Sequence, residues 1–297
     1  PEESAALAMA VSQAEATNAD LVIGCDPDTD RVGIAVNDGT GKMQLLNGND
    51  TAALLVHYIL DAYQNNGTLP ANGFTAATVV TTDLIADISK AYGVPCYRCL
   101  TGFKWIADII KKTPEEQFLV GGEESYGYLI GDAVRDKDAV ASAVMIAEMA
   151  ARAKAQGRTV LQQLEAIHRE FGQYQERLIS ITKKGRSGAQ EIADMMTALR
   201  NDPPKSLAGS PVTVAIDHAV SEEKELATGN VKSTGLPSSN VLQFMTAAGD
   251  KVSARPSGTE PKIKFYFSVR TTTGASHAET KAELEAKIDT FIKELDL

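Results

Sequence analysis

ATVVTTDLIADISKAYGVPCYRCLTGFKWIADIIKKTPEEQFLVGG, residues Ala77–Gly122, decides how most of this chain folds. Ala77–Thr81 is a short β-branched run, and Asp83 stands where a helix cap is expected. Apolar positions at helical spacing follow until Gly93, a stop signal. The pattern then repeats. Val94–Cys99 reads as a strand, Thr101-Gly102 as a turn and Phe103–Lys112 as a helix. Phe118–Val120 starts a third round, which runs through a glycine-rich turn into a long helix from about Asp138 to Gln156. Strand and helix in strict alternation imply a parallel sheet covered by helices. Ligands of such folds gather at the carboxyl ends of the strands, where Thr101-Gly102 and Gly121-Gly122-Glu123 both fall.

On the amino-terminal side, Leu54, Leu55, Tyr58 and Ile59 form one helical face, capped by Asn49 or Asp50 and ending before Gly67. Before it come a helical stripe at Leu7, Val11 and Ala14, a strand at Leu21–Cys25 whose apolar run Leu21–Ile23 reads as buried, and a second run at Val32–Val36. This opening segment is too short for a complete α/β domain. On the carboxyl side the rhythm changes after Gly157 and Gly172. Leu178–Thr182, Val212–Ile216, Val241–Thr246, Val252–Arg255 and Ile263–Val269 read as strands, with helices near Gly188–Leu199 and Ala278–Leu295. The polar stretch Ser221–Asn240 reads as a loop. The expectation is an α/β protein. A partial α/β domain (1–44) precedes a parallel-type α/β/α sheet domain (45–170), and an α+β domain with a mostly antiparallel sheet (171–297) follows.

The totals narrow the function. A chain of 297 residues with 43% hydrophobic and 23% charged residues permits about two or three domains of ordinary globular balance. A formal net charge of −10 argues against nucleic acid or an anionic membrane as partner, while leaving room for a small basic pocket. No apolar run has the length of a membrane span, and no charged-then-apolar leader opens the sequence. Three cysteines make no disulfide framework, so a reducing, cytoplasmic setting is expected. Cys96-x-x-Cys99 lacks a second ligand pair and reads as core thiols rather than a zinc site. Opening at Pro1 on a mid-domain helix suggests a piece excised from something longer.

Three motifs carry chemistry. In Cys25-Asp26-Pro27-Asp28-Thr29-Asp30-Arg31, three aspartates alternate where a strand leaves its sheet. Crowded carboxylates repel unless a cation neutralises them, and hard oxygen donors suit Mg²⁺ or Ca²⁺. An EF-hand would need glycine and glutamate where Arg31 and Asn37 stand, so that reading fails. A haloacid-type phosphatase is weakened by the aspartate at 30, and a solvated acidic turn is the plain alternative. In Gly121-Gly122-Glu123-Glu124-Ser125-Tyr126-Gly127, the glycines admit a close ligand, and Glu123 and Ser125 can hydrogen-bond vicinal hydroxyls such as a sugar's. In Arg255-Pro256-Ser257-Gly258-Thr259-Glu260-Pro261-Lys262, hydroxyls, loop amides and an arginine fork suit a phosphate, with Lys262 as a point charge. Val134-Arg135-Asp136-Lys137-Asp138 reads as a helix cap and surface ion pair. Lys104 reads equally as an exposed first-turn lysine or as a group reaching a phosphate.

DPDTDR, TGFKW, GGEESYGY and RPSGTEPKIK, in this order, closely resemble the α-D-phosphohexomutase superfamily, the phosphoglucomutases and phosphomannomutases. GGEESYGY with VRDKDAV is most similar to phosphoglucomutase and phosphopentomutase-related members. The resemblance implies Asp26, Asp28 and Asp30 as Mg²⁺ ligands, with Arg31 beside the transferring phosphate. It implies Glu123 and Ser125 as sugar ligands, and Arg255, Ser257, Gly258, Thr259 and Lys262 as a phosphate loop. Lys104 would contact phosphate or assist proton transfer. The implied activity is isomerisation of glucose 1-phosphate and glucose 6-phosphate through a phosphoserine and a bisphosphate intermediate. The alternatives are phosphomannose or phosphopentose specificity, or a non-catalytic phosphosugar-binding protein. The family's serine lies in a Thr-Ala-Ser-His-Asn-Pro-like loop that this sequence does not contain, and Ser125, Ser187 and Ser257 stand in other contexts. The expectation is therefore a chain inactive by itself.

Overall fold

Helix α1 (Ser4–Thr17) stops at Asn18, whose left-handed backbone (φ 52°) turns the chain toward β1 (Leu21–Cys25). Asparagine tolerates this conformation better than most side chains do. The computed structural model describes residues 1, 3–183, 185–271 and 277–297. They divide into two units, Pro1–Phe171 and Gly172–Leu297. Among the described residues no helix is long and apolar enough to cross a membrane.

In the first unit β1 runs antiparallel to β2 (Val32–Asn37), and β2 to β3 (Met43–Leu46). The expected buried strand at Leu21–Ile23 needs correcting. Val22 is buried, but Ile23 is 37% exposed. Among the described residues β1 pairs only with β2 and so forms a sheet edge. β2 is the covered strand: Val32, Ile34, Ala35 and Val36 are all buried. Ala35 packs with Ala14 of α1 and Val22.

Helix α2 (Gly48–Asn65) is capped by Asn47, whose Oδ1 accepts the Asp50 amide at 2.8 Å. Neither Asn49 nor Asp50 is the cap. The Asn49 side chain instead accepts the amide of Thr82 at 2.9 Å, tying the helix start to the next loop. Strand β4 (Gly73–Thr78) ends earlier than the β-branched run suggested. Val79 and Val80 form a buried turn, held by Val79 N–H to Cys99 O at 2.7 Å. Asp83 precedes α3 (Leu84–Ala91) without a side-chain cap, because its carboxylate pairs with Arg98 at 2.9 Å.

β5 (Cys96–Cys99), α4 (Lys104–Lys112), β6 (Gln117–Gly122) and β7 (Tyr128–Ile130) follow. The sheet order is β5-β4-β6-β7. The first three strands are parallel, as the alternation requires, and the short β7 adds an antiparallel edge. Asp138 caps α5 (Ala139–Ala155) through the Ala141 amide at 2.9 Å, and α6 (Val160–Phe171) completes the unit.

The second unit contains β8 (Gln173–Thr182), α7 (Gly185–Asn201), β9 (Ser206–Leu207), β10 (Ser210–Asp217), β11 (Glu222–Glu225), β12 (Val231–Ser233), β13 (Leu242–Thr246), β14 (Lys251–Pro256), β15 (Lys262–Thr271) and α8 (His277–Glu294). Its strands order as β12-β11-β10-β13-β14-β15-β8, with β9 on β10, and every pair is antiparallel. The core joins Ile192 and Met196 of α7 and Leu284, Ile288 and Phe291 of α8 to Phe265 and Phe267 of β15. The expected loop at Ser221–Asn240 contains β11 and β12. These strands are exposed at the sheet end and carry a cross-strand Lys232–Glu223 ion pair, so they present no apolar alternation to read.

Candidate functional site

The loop joining β1 to β2 brings Asp26, Asp28 and Asp30 together, with one carboxylate oxygen of each within 4.8 Å of the others. Thr29 adopts a left-handed backbone (φ 61°), and its amide donates to Asp26 O at 3.0 Å. Asp26 Oδ1 accepts the amides of Asp30 at 3.2 Å and Arg31 at 3.0 Å. Burial pushes the Asp26 carboxyl up, but these amides, Arg31's first, and the neighbouring Asp30 and Asp28 side chains hold it below its usual value. Arg31 Nε lies 3.5 Å from both Asp26 Oδ2 and Asp30 Oδ1. Asp30 Oδ1 is buried and makes no hydrogen bond among the described residues. A buried carboxylate oxygen without a hydrogen bond, facing two further carboxylates and with Arg31 Nε no nearer than 3.5 Å, fits a divalent cation such as Mg²⁺.

The turn between β6 and β7 carries Glu123 and Ser125. It is closed by Glu123 N–H to Gly127 O at 2.8 Å and by a left-handed Tyr126 (φ 69°). Glu123 is 8% exposed, and its Oε1 accepts the Gly102 amide at 2.7 Å. The carboxylate expected to read hydroxyls therefore also fixes the Thr101–Lys104 turn. Glu124 Oε2 accepts from the hydroxyls of Thr81 at 3.2 Å and Thr78 at 3.4 Å. Gly48 passes so close that a Cβ there would sit 1.9 Å from Glu124 O. The same turn meets the aspartate loop, because Val32 N–H donates to Tyr126 O at 3.0 Å. Lys104 is exposed at the start of α4, with its ammonium 5.1 Å from the Trp105 ring centroid. A cation at a helix N-terminus is disfavoured by the dipole and gains from a nearby anion.

One residue of this constellation escaped the sequence reading. Lys137, assigned there to a surface ion pair, is 17% exposed in its side chain. Its ammonium lies 2.9 Å from Asp30 Oδ2, 3.0 Å from Asp136 and 5.5 Å over the Phe103 ring. Its stem fills the space beside Gly127, where a Cβ would meet Lys137 Cδ at 2.2 Å. The signal was the charged run Arg135–Asp138 ahead of α5, whose target lies more than a hundred residues earlier in sequence.

In the second unit the candidate phosphate residues occupy the β14–β15 hairpin. Arg255 is in register with Lys264, and Ser257 N–H donates to Lys262 O at 2.7 Å. The amides of Thr259 and Glu260 both point at Ser257 Oγ, each at 3.3 Å. Ser257, Gly258 and Thr259 line a cavity of about 450 Å³ together with Ile192 and Met196 of α7 and Asn240; Arg255 and Lys262 do not line it. Gly258 is exposed, lacks a positive φ and has open space where a Cβ would go, so no conformational demand for glycine is visible there.

Two family models match the chain in order. One is the phosphoglucomutase/phosphomannomutase alpha/beta/alpha domain II, over residues 1–40, and the other is domain III of the same family, over residues 47–171. A phosphoglucomutase of Staphylococcus haemolyticus is 36% identical over 270 residues, covering 91% of this chain and 48% of the relative. A probable phosphomannomutase of Haemophilus influenzae is 36% identical over 271 residues, covering 91% and 50%. The chain thus spans about half the length of the curated relatives it matches. Parafusin, a phosphoglucomutase from Paramecium solved in an open form, shares the fold with a TM-score of 0.68 at 17% identity, over 97% of this chain and 48% of that one. An Aspergillus fumigatus N-acetylphosphoglucosamine mutase, solved with GlcNAc-6P and magnesium, gives 0.51 at 14% identity over 96% and 52%. With two domain models matched in sequence order and relatives aligned along nine-tenths of its length, the chain belongs to the phosphoglucomutase/phosphomannomutase family.

Proposed function

We propose that this chain is the metal-, sugar- and phosphate-binding portion of a phosphohexomutase that interconverts hexose 1-phosphate and hexose 6-phosphate. In this reading residues 1–44 belong to a metal-binding domain, 45–170 to a sugar-binding domain and 171–297 to a phosphate-binding domain. Asp26, Asp28 and Asp30 would hold Mg²⁺, which when bound offsets the negative charge on a transferring phosphoryl group. The observation that carries the reading is the aspartate triad with its undonated Asp30 Oδ1, tied through Val32 and Tyr126 to the Glu123 turn.

The remaining roles fall to the chain's own groups. Arg31, beside two of the carboxylates, supplies a fixed cation to the phosphoryl oxygens. Glu123 and Ser125 orient the sugar through its hydroxyls. Lys104 presents a proton-bearing ammonium at the start of α4. Arg255, Ser257, Gly258, Thr259 and Lys262 hold the non-reacting phosphate by charge-assisted hydrogen bonds. The phosphoryl donor would be a serine in a loop this sequence does not contain, passing through a sugar bisphosphate. The Haemophilus relative's name keeps phosphomannose as an alternative substrate, and a silent phosphosugar-binding role is the non-enzymatic one.

The test is calorimetry of the chain with glucose 1,6-bisphosphate and Mg²⁺, beside a turnover assay on glucose 1-phosphate. Bisphosphate binding that Arg255→Ala weakens, and Mg²⁺ binding that loss of the aspartates abolishes, are expected, with no turnover by the chain alone. Absence of bisphosphate binding would sink the assignment, and robust turnover would sink the expectation that the chain is inactive by itself. Mg²⁺ alone should bind more weakly than micromolar, because no phosphoserine oxygen completes the site.

A further inference from the structure

We propose that the first unit holds a further anion site, remote from the aspartate loop and suited to a small phosphate monoester. The inference is independent of the mutase reading. A cavity of about 330 Å³ lies where the β2–β3 turn meets the ends of α1 and α5 and the start of α6. Asn18, Asp20, Asn37, Lys154, Arg158 and Thr159 are among the residues that line it. Both β2 and α5 lead from it toward the aspartate loop. β2 begins at Val32, next to Arg31, and Ala139 at the head of α5 donates its amide to Thr29 O at 3.3 Å. From Ala139 to Lys154 the helix rises about 22 Å, so the cavity is no part of the triad.

An imbalance of donors over acceptors singles this cavity out. Asn37 Oδ1 is taken by the amides of Gly39 at 2.8 Å and Gly41 at 3.3 Å. Asp20 is taken by the Lys154 ammonium at 2.6 Å, and Thr159 Oγ1 by the Gln162 amide at 3.1 Å. The side chains of Asn18 and Arg158, in contrast, make no hydrogen bond or ion pair among the described residues. Lys154 keeps two further N–H groups, and Thr159 keeps its hydroxyl proton. Two cations against one carboxylate also make this a locally positive spot on a chain of formal net charge −10.

The frame around these donors is fixed. Gly157 has a left-handed backbone (φ 71°), and Arg158 N–H donates to Ala153 O at 2.9 Å, which sets the α5–α6 turn. Thr159 N–H donates back to Gln162 Oε1 at 3.0 Å, so the start of α6 is closed by its own cap and recognition falls to the side chains. Gly39 and Gly41, at φ 92° and 94°, leave the facing wall without side chains. An arginine fork joined by a lysine point charge is a phosphate-binding pair, and donors from three separate elements suit a tetrahedral anion better than a planar carboxylate. The volume leaves room for a small organic group beside the phosphate.

Inorganic phosphate and glycerol 3-phosphate are titrated separately into the chain without divalent metal. Backbone amide NMR signals of Gly39, Gly41 and Thr159 report this site, and those of Gly258 and Thr259 report the β14–β15 hairpin. The first set should move with both probes, with the ester bound at least threefold more tightly; the reverse order overturns the monoester assignment. Arg158→Ala should weaken the ester here at least tenfold, and Arg158→Lys, which keeps the charge without the fork, about threefold. Asp20→Asn releases Lys154 and should tighten binding at least twofold, a gain that no folding defect produces. Arg169→Ala removes the same charge from α6 outside the cavity and should change the affinity less than twofold. Equal weakening by R169A and R158A reduces the effect to general electrostatics and overturns the site. Stationary signals at Gly39, Gly41 and Thr159 overturn it too, whether or not the hairpin responds.

Discussion

The two candidate regions are built in opposite ways. In the first unit the aspartate loop and the candidate sugar turn are cross-tied by Val32–Tyr126, Lys137–Asp30 and Gly102–Glu123; Glu123 is buried and Asp26 and Asp30 are half-buried, while Asp28 is exposed. In the second unit the candidate phosphate loop is a hairpin tip whose turn hydrogen bonds run between its own residues, with an outward tie from Lys183 N–H to Pro261 O at 2.9 Å, and Gly258, Thr259 and Glu260 are exposed. In the proposed reading a metal and a sugar would need fixed oxygens at short range, which the first region supplies through neighbours distant in sequence. In the same reading a phosphate would be met by amides and cations that a single turn can present, as the second region does. Preorganisation makes the first region costly to perturb and the second nearly free of structural constraint.

The largest effect that sharpens this contrast comes from Gly121. A Cβ there would lie 2.2 Å from Ala76 O, so Gly121→Val should destabilise the first unit by about 3 kcal/mol, read from its urea midpoint. An unchanged midpoint breaks the claim of tight backbone contact. Next, Glu123→Ala strands the Gly102 amide and should cost about 2 kcal/mol, with faster hydrogen exchange at Gly102 as the local signature. Protection at Gly102 equal to wild type would mean that the Glu123 carboxylate does not hold that turn.

In the phosphate loop the expected losses are of affinity. Arg255→Ala should weaken glucose 1-phosphate binding about tenfold, roughly the worth of one charge-assisted contact, while leaving the urea midpoint unchanged. A midpoint shift without an affinity change would reverse the comparison. A smaller effect concerns pH. Burial lowers the pKa of His57 on α2, partly countered by the charges of Asp61 and Glu170. The folded protein then resists a proton that the unfolded chain accepts near its ordinary value of 6.5. Stability of the first unit is therefore full above that pH and declines as pH falls through it. His57→Phe should flatten that part of the stability curve, and an identical slope in the variant would remove His57 as its cause. Smallest of all, Gly258→Ala meets open space and should change stability by less than about 0.5 kcal/mol.

Much of the fold was legible because it is written in local periodicity. The parallel β5-β4-β6 arrangement followed from strand and helix alternating at regular spacing, and the antiparallel second unit from short apolar runs separated by turns. What escaped reading has particular reasons. β7 is three residues long, and β11 and β12 are polar strands exposed at a sheet end. Asn47 won the α2 cap because Asn49 was taken by Thr82, a contact 33 residues away that no local rule can see.

For the site, sequence alone determined the chemistry of the donors: three aspartates two apart, a Gly-Gly-Glu-Glu-Ser turn and a hydroxyl-rich hairpin carry their ligand preferences in their side chains. Tertiary structure decided which of these groups touch. It placed Lys137 on Asp30 and Glu123 on Gly102, pairs separated by 107 and 21 positions, respectively. Spacing along a chain fixes which residues share a loop. Only the closing of the sheets and helices fixes which loops face each other, because those contacts arise from burial of surfaces far apart in sequence.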